Sequence, residues 1–225
     1  MKFCYHPEAG KRNLTITDEL YTHIYKARRT KLESTLSLRN LVDAQLYTYK
    51  HLSINKKSAA LELLSSTSHP IISTKPLHLL WAITEVKNIE KTLPCLNQLG
   101  VKKLTLFYAN RSQKNEKISP EKLHKILIAS CEQCGRSELM HIELLSSTKD
   151  ALLAYPNACV LDFGGADIYQ AGVLDFSDGI FIGPEGGFDE TEKRLFENQK
   201  CFGIPSEITL RSECATVLVS ALVTI

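Results

Sequence analysis

The sequence predicts an α/β protein in which a parallel sheet with helices follows a smaller, β-rich N-terminal domain. Three observations carry that expectation. From Leu77 onward, short apolar runs alternate with segments of three- and four-residue apolar spacing, the pattern of strands joined by helical crossovers. Before it lie short β-like runs separated by turns, and Pro70 and Pro76 bracket a stiff connection over 71–75. Charge divides in the same place: residues 1–75 hold 12 Lys and Arg against 6 Asp and Glu, while residues 76–225 hold 15 against 19. A boundary near residue 72 gives domains 1–72 and 73–225.

In the first domain, Gln45 to Leu52 alternates Leu46, Thr48 and Lys50 with Tyr47 and Tyr49. Ser58 to Leu64 is a brief apolar run after the turn-like Asn55-Lys56-Lys57. A small barrel or twisted sheet accounts for both. Lys26 to Leu32 is basic and polar. Arg28, Arg29, Lys31 and Arg39 are candidates for phosphate contact, because neutralising phosphates supplies much of the affinity for nucleic acid.

In the second domain, Leu77 to Ile83 reads as a strand. Val86, Ile89, Leu93 and Leu96 then mark a helix that stops at Gly100, with Pro94 expected to kink it. The strand Val101 to Tyr108 leads to Asn110-Arg111-Ser112, which places Arg111 at the usual ligand edge of an open α/β sheet. Ser119-Pro120 opens a helix with Leu123, Leu127, Cys131 and Cys134 on one face. Ala158 to Asp162 is a buried strand ending in the loop Phe163-Gly164-Gly165-Ala166-Asp167.

Gly179 to Ile182 is a short strand running into Gly183-Pro184-Glu185-Gly186-Gly187-Phe188. So many glycines remove side chains and let the backbone approach a ligand closely. Asp189-Glu190-Thr191-Glu192 then supplies an acidic first helical turn. Cys201 to Ile204 is a strand and turn, and Leu210-Arg211-Ser212-Glu213-Cys214-Ala215 opens a last helix bearing Val217, Leu218, Val219, Leu222 and Ile225.

Composition narrows the function classes. No apolar run reaches the roughly 18 residues of a membrane span, and Met1 to His6 lacks an apolar signal region, so a cytoplasmic protein without membrane attachment is expected. Seven scattered cysteines suit reduced thiols. Cys131-Glu132-Gln133-Cys134 is the single CxxC, and no second Cys or His pair completes a zinc site, so no metal is expected. Neither glycine loop has the spacing of a dinucleotide or triphosphate cradle.

Gly183 to Phe188, paired with Leu210-Arg211-x-Glu213-x-Ala215, is similar to the signature of the bacterial 16S rRNA (uracil-N3)-methyltransferase family of the SPOUT class. Asn110-Arg111-Ser112 resembles the family's Glu-Arg-Ser/Cys element, and Glu132-Gln133-Cys134-Gly135-Arg136 its Glu-Gln-x-x-Arg segment. The chain departs from the family at Asn110, at Cys214 where threonine is usual, at Phe163-Gly164-Gly165, and at Leu41 to Gln45 where a glycine-bearing turn is usual.

The resemblance implies a C-terminal trefoil knot around S-adenosylmethionine and an N-terminal PUA-like β-barrel that helps hold RNA. It implies methyl transfer to N3 of a uridine in 16S rRNA of the small ribosomal subunit, by a homodimer to which the terminal helix contributes. It assigns cofactor binding to Phe163, Gly164, Gly183, Glu185, Gly186, Gly187, Ile204, Leu210 and Ala215, with backbone groups at Gly183, Gly187, Ile204 and Leu210 receiving the adenosyl portion. Arg211 and Glu213 become the catalytic pair, and Arg28, Arg29, Arg111 and Arg136 the RNA contacts. Two other readings fit the residues: a noncatalytic RNA-binding ribosome-assembly protein with a degenerate site, and a small-molecule α/β enzyme.

Overall fold

A computed structural model describes residues 2–115, 117–172 and 174–224. Its contacts divide the chain into one unit of Met1–Ile72 with Ile128–Leu139 and another of Ser73–Leu127 with Met140–Ile225. The later chain is thus not one contiguous second domain. Cys131 is fully buried in a cluster with Phe3 and Leu41, and that apolar contact draws 128–139 into the first unit.

The first unit holds a five-stranded sheet of β1 (Cys4–Tyr5), β2 (Asn13–Ile16), β3 (Thr35–Arg39), β4 (Gln45–Ile54) and β5 (Ala59–Ser68), ordered β1-β3-β4-β5-β2. β4 and β5 form the long hairpin expected around Asn55, closed by the Asn55 amide on the Ser58 carbonyl at 2.8 Å. Ile16, Leu38, Tyr49 and Leu61 fill the core. Between β2 and β3 the short helix α1 (Asp18–Tyr21) passes into a π-helical turn, Thr22–Ala27, so the basic stretch begins as helix and not as a strand.

The turn lacking the usual glycine places Leu41 at φ +61° and Ala44 at φ +58°, a costly conformation for residues with a Cβ. Side chains brace it. Asn40 Oδ1 accepts the Val42 amide, Asp43 Oδ1 accepts the Gln45 amide, and Arg39 donates to the carbonyls of Ala44 and His69, both at 2.9 Å. Arg39 is 2% exposed, which removes it from the phosphate-contact candidates.

The second unit is built on a six-stranded sheet of β6 (His78–Ala82), β7 (Lys103–Phe107), β8 (His141–Leu145), β9 (Cys159–Asp167), β10 (Ile180–Ile182) and β11 (Cys201–Gly203). The order is β11-β9-β10-β6-β7-β8, and each neighbouring pair is parallel. Its helices are α2 (Val86–Gln98), α3 (Pro120–Cys134, which ends in the first unit), α4 (Thr148–Ala154), α5 (Glu190–Leu195) and α6 (Ser212–Thr224). α2 continues through Pro94, burying Ile89, Leu93 and Leu96. Ile225, expected on α6, lies outside the described residues. Among the described residues no helix is long and apolar enough to cross a membrane.

β9 departs from the expected strand-then-loop. Opposite β11 its register jumps, with Cys201 against Val160 but Phe202 against Ala166. β10 follows β9 as far as Leu161, so residues 162–165 bulge out of both ladders. Gly165 allows the return to pairing, since a Cβ there would collide with the Phe202 backbone.

Candidate active site

Three segments converge at the C-terminal edge of the sheet: Leu161–Phe163 from the β9 bulge, Ile182–Phe188 after β10, and residues from Ile204 through Ala215. They enclose a cavity of about 200 Å³. The ends of parallel strands are where loops leave a crevice for ligands. Of the residues expected to hold the cofactor, Phe163, Gly183, Glu185, Gly186, Gly187, Ile204, Leu210 and Ala215 line the cavity, and Gly164 does not. Phe163 is 78% exposed at the rim.

The backbone groups are more committed than expected. The Gly187 amide donates to the Pro184 carbonyl at 2.8 Å, so it serves the turn. What Gly187 offers is room: at φ +67°, a Cβ on it would meet nothing within 4 Å. The Ile204 carbonyl accepts the Ser206 amide at 2.8 Å, and the Gly183 carbonyl accepts Ser212 Oγ at 2.5 Å. Trp81 Nε1 in turn donates to Ser212 Oγ at 2.7 Å. This relay, which sequence reasoning missed, ties β6, the glycine loop and the start of α6. A signal for it existed: the chain has one tryptophan, and a buried indole N–H needs an acceptor.

A second set of bonds fixes the glycine loop from outside. Arg111 Nη1 donates to the Gly186 carbonyl at 2.5 Å, so the arginine expected to contact RNA supports the loop. Asn110 sits beside it, its amide on Glu192 Oε1 at 3.0 Å and its side chain on Asp189 at 2.8 Å and Thr191 at 3.1 Å. Glu192, only 2% exposed, also accepts Thr148 Oγ1 at 2.5 Å and closes a capping box with Asp189. Asp189 is drawn down to about 2 by the Thr191 hydroxyl, the Glu192 amide and Asn110. Asn110 in the acid's place therefore has a structural reason, for it faces two carboxylates.

Arg211 stands at the start of α6 with its side chain 79% exposed, 3.9 Å from Glu213 Oε1. Glu213 Oε2 is buried and has no hydrogen-bond partner among the described residues. Neither residue lines the cavity, although Leu210 and Ser212 beside them do.

The expected RNA contacts separate. Arg28 and Arg29 are exposed at the end of the π-helical turn. Arg136 is 4% exposed, with Nη2 on Glu138 Oε1 at 3.1 Å, and burial leaves it no face for a phosphate. Among the described residues no cluster of three His, Cys, Asp or Glu is placed to hold a metal.

Residues 72–224 match the RNA methyltransferase domain family. Over 225 residues the chain is 51% identical to the ribosomal RNA small subunit methyltransferase E of Helicobacter pylori, with 99% of each covered. The chain belongs to this methyltransferase family. Among solved structures, the ribosomal RNA small subunit methyltransferase E of Neisseria gonorrhoeae bound to S-adenosyl methionine aligns at TM-score 0.83 and 20% identity, covering 99% of this chain and 96% of that one. A Legionella pneumophila protein in complex with the cofactor SAM aligns at 0.83 and 23%, with the same coverage. Identities this low bear on the fold, and the fold is shared.

Proposed function

We propose that the protein transfers a methyl group from S-adenosylmethionine to N3 of a uridine in 16S rRNA. The observation that carries this reading is the cavity at the sheet edge, where Gly187 leaves open the space that a Cβ would fill, in a chain of the methyltransferase E family. Leu161, Ile182, Phe188 and Leu210 give the cavity apolar walls, and Asp162, Glu185, Ser206 and Thr209 add polar residues to its lining. That mixture suits an adenosyl group joined to an amino-acid tail.

When bound, S-adenosylmethionine supplies an electrophilic methyl on a sulfonium, and uracil N3 gains it while losing its proton. The chain's own residues do the rest. The two braces on the glycine loop hold its backbone before any ligand arrives, so orientation is set in advance. Arg211, exposed at the cavity edge, places a permanent cation where the uracil oxygens gain negative charge. Glu213 Oε2, buried without a donor, is suited to accept a proton or to hold Arg211.

The wider reading has the five-stranded unit as the PUA-like RNA-binding barrel, with Arg28 and Arg29 on phosphates. The order β11-β9-β10 favours a knotted cofactor loop, and the partly exposed Val217, Leu218 and Leu222 of α6 favour a homodimer. A cytoplasmic site of action accompanies a small-subunit rRNA substrate. Mass-spectrometric mapping of 16S rRNA from cells lacking the protein should show one uridine without its N3 methyl, restored by complementation; an unchanged methylation map would reject the reading.

A further inference from the structure

We propose that Asp162 and Glu185 make this cavity charge-selective, favouring the cationic sulfonium donor over the neutral thioether that methyl transfer leaves behind. The proposal rests on the cavity being the cofactor site. Among the described residues lining it, Asp162 and Glu185 are the charged ones, and the lining holds no lysine, arginine or histidine. The nearby guanidiniums stand outside the lining: Arg111 is bonded to the Gly186 carbonyl, and Arg211 pairs with Glu213.

Asp162 is held in place, because its Oδ1 accepts the Phe163 amide at 2.8 Å within the β9 bulge. Glu185 rides on the turn closed between Pro184 and Gly187. Much of the remaining wall is apolar, and low-dielectric walls strengthen the field of charges set among them. S-adenosylmethionine carries one more positive charge than S-adenosylhomocysteine and otherwise differs by a methyl group. Contacts to the adenine, ribose and amino-acid tail are common to both. Two carboxylates in a lining that holds no cation therefore act on the difference between donor and product, and their attraction weakens at the moment the methyl leaves. The product's hold falls without any movement of the loops.

Calorimetric titration of the full chain with S-adenosylmethionine and with S-adenosylhomocysteine tests this, using Asp162→Asn and Glu185→Gln. The asparagine keeps a carbonyl oxygen for the Phe163 amide, so the bulge stays closed. The expected result is that each variant lowers the ratio of product Kd to donor Kd by about five- to tenfold, chiefly by weakening the donor, the order of effect of one unit charge removed from a partly screened site. Higher salt should shrink the effect. Equal changes for both ligands in both variants, or no change in the ratio, overturn the charge selection while leaving the cofactor site intact. Folded wild-type protein that binds neither ligand overturns both readings.

Discussion

Trp81 and Ser212, 131 residues apart in sequence, meet through a 2.7 Å hydrogen bond from the indole to the hydroxyl, which in turn donates to the Gly183 carbonyl. The bond joins the first strand of the second unit to the last helix across the glycine loop. Trp81 is fully buried and Ser212 is 5% exposed, so water cannot replace either partner.

Ser212→Ala should therefore strand the indole N–H and release the Gly183 carbonyl together. We expect a loss of about 1–3 kcal/mol of stability, the cost of an unsatisfied buried donor, and weaker cofactor binding. Thermal unfolding and calorimetry read the two effects. An unchanged melting temperature would mean that another acceptor takes the indole.

Glu192→Gln should loosen the glycine loop from outside. The carboxylate accepts from the Asn110 amide, Thr148 Oγ1 and the Asp189 amide, and an amide replacement must turn its NH2 toward one of these donors. Breaking a charge-assisted bond in a buried network costs about 1.5–3 kcal/mol. Denaturant unfolding should show that loss, and hydrogen exchange should show faster opening at 186–192. Protection equal to wild type there would remove Glu192 as the brace.

Much of this arrangement was legible in the sequence, and the parts that were not share a cause. The strand-helix alternation from Leu77 is local, so the parallel sheet could be read from it. The β9 bulge could not, because a register jump depends on which strand lies alongside and where Gly165 meets Phe202. Arg39 and Arg136 looked like surface cations because sequence shows charge and not burial. Their partners are the carbonyls of Ala44 and His69 for one and the Glu138 carboxylate for the other. Arg111 was found at the ligand edge, but its hydrogen bond to Gly186 requires the fold.

Acid should weaken the second unit away from the cavity. Burial holds His78 down to about 4, with the Lys103 charge adding to it. Burial pushes Glu143 upward, but hydrogen bonds from Tyr155, Thr105 and Lys103 outweigh it and bring it down to about 2. Both folded values lie below the unfolded ones, so the unfolded chain binds more protons and stability falls as pH drops, from about 6.5 to 4 for the histidine and from about 4.5 to 2 for the carboxylate. Urea midpoints between pH 7 and pH 3 should fall for wild type and fall less for Glu143→Gln. Parallel slopes for the two proteins would remove the carboxylate's share.

Arg28, Arg29 and Lys31 are exposed where Arg39 and Arg136 are buried, so the phosphate-contact proposal in the first unit rests on these three, with the two arginines as its test. Replacing both by alanine should flatten the dependence of log K on log salt by roughly 1–2 units and leave cofactor affinity unchanged. A salt slope equal to wild type would make them ordinary surface residues.

Arg211→Ala separates catalysis from scaffolding. The Arg211 side chain is 79% exposed and its carboxylate partner lies 3.9 Å away, a long contact with the guanidinium largely in water. So long a contact to an exposed guanidinium contributes about 0–1 kcal/mol, so its loss should leave the fold and most of the cofactor binding in place. On the proposed transfer to uracil N3, the guanidinium would matter when the ring becomes anionic, because a cation fixed in advance needs no rearrangement as that charge appears. Removing a donor of this kind costs roughly two to three orders of magnitude in rate. Single-turnover methyl transfer at saturating cofactor and rRNA should therefore slow by that amount, while Glu213→Gln, which keeps the arginine, tests the buried oxygen separately. A near-normal rate constant in Arg211→Ala, with only weaker RNA or cofactor binding, would make the arginine a support for the loop and leave the developing charge to other groups.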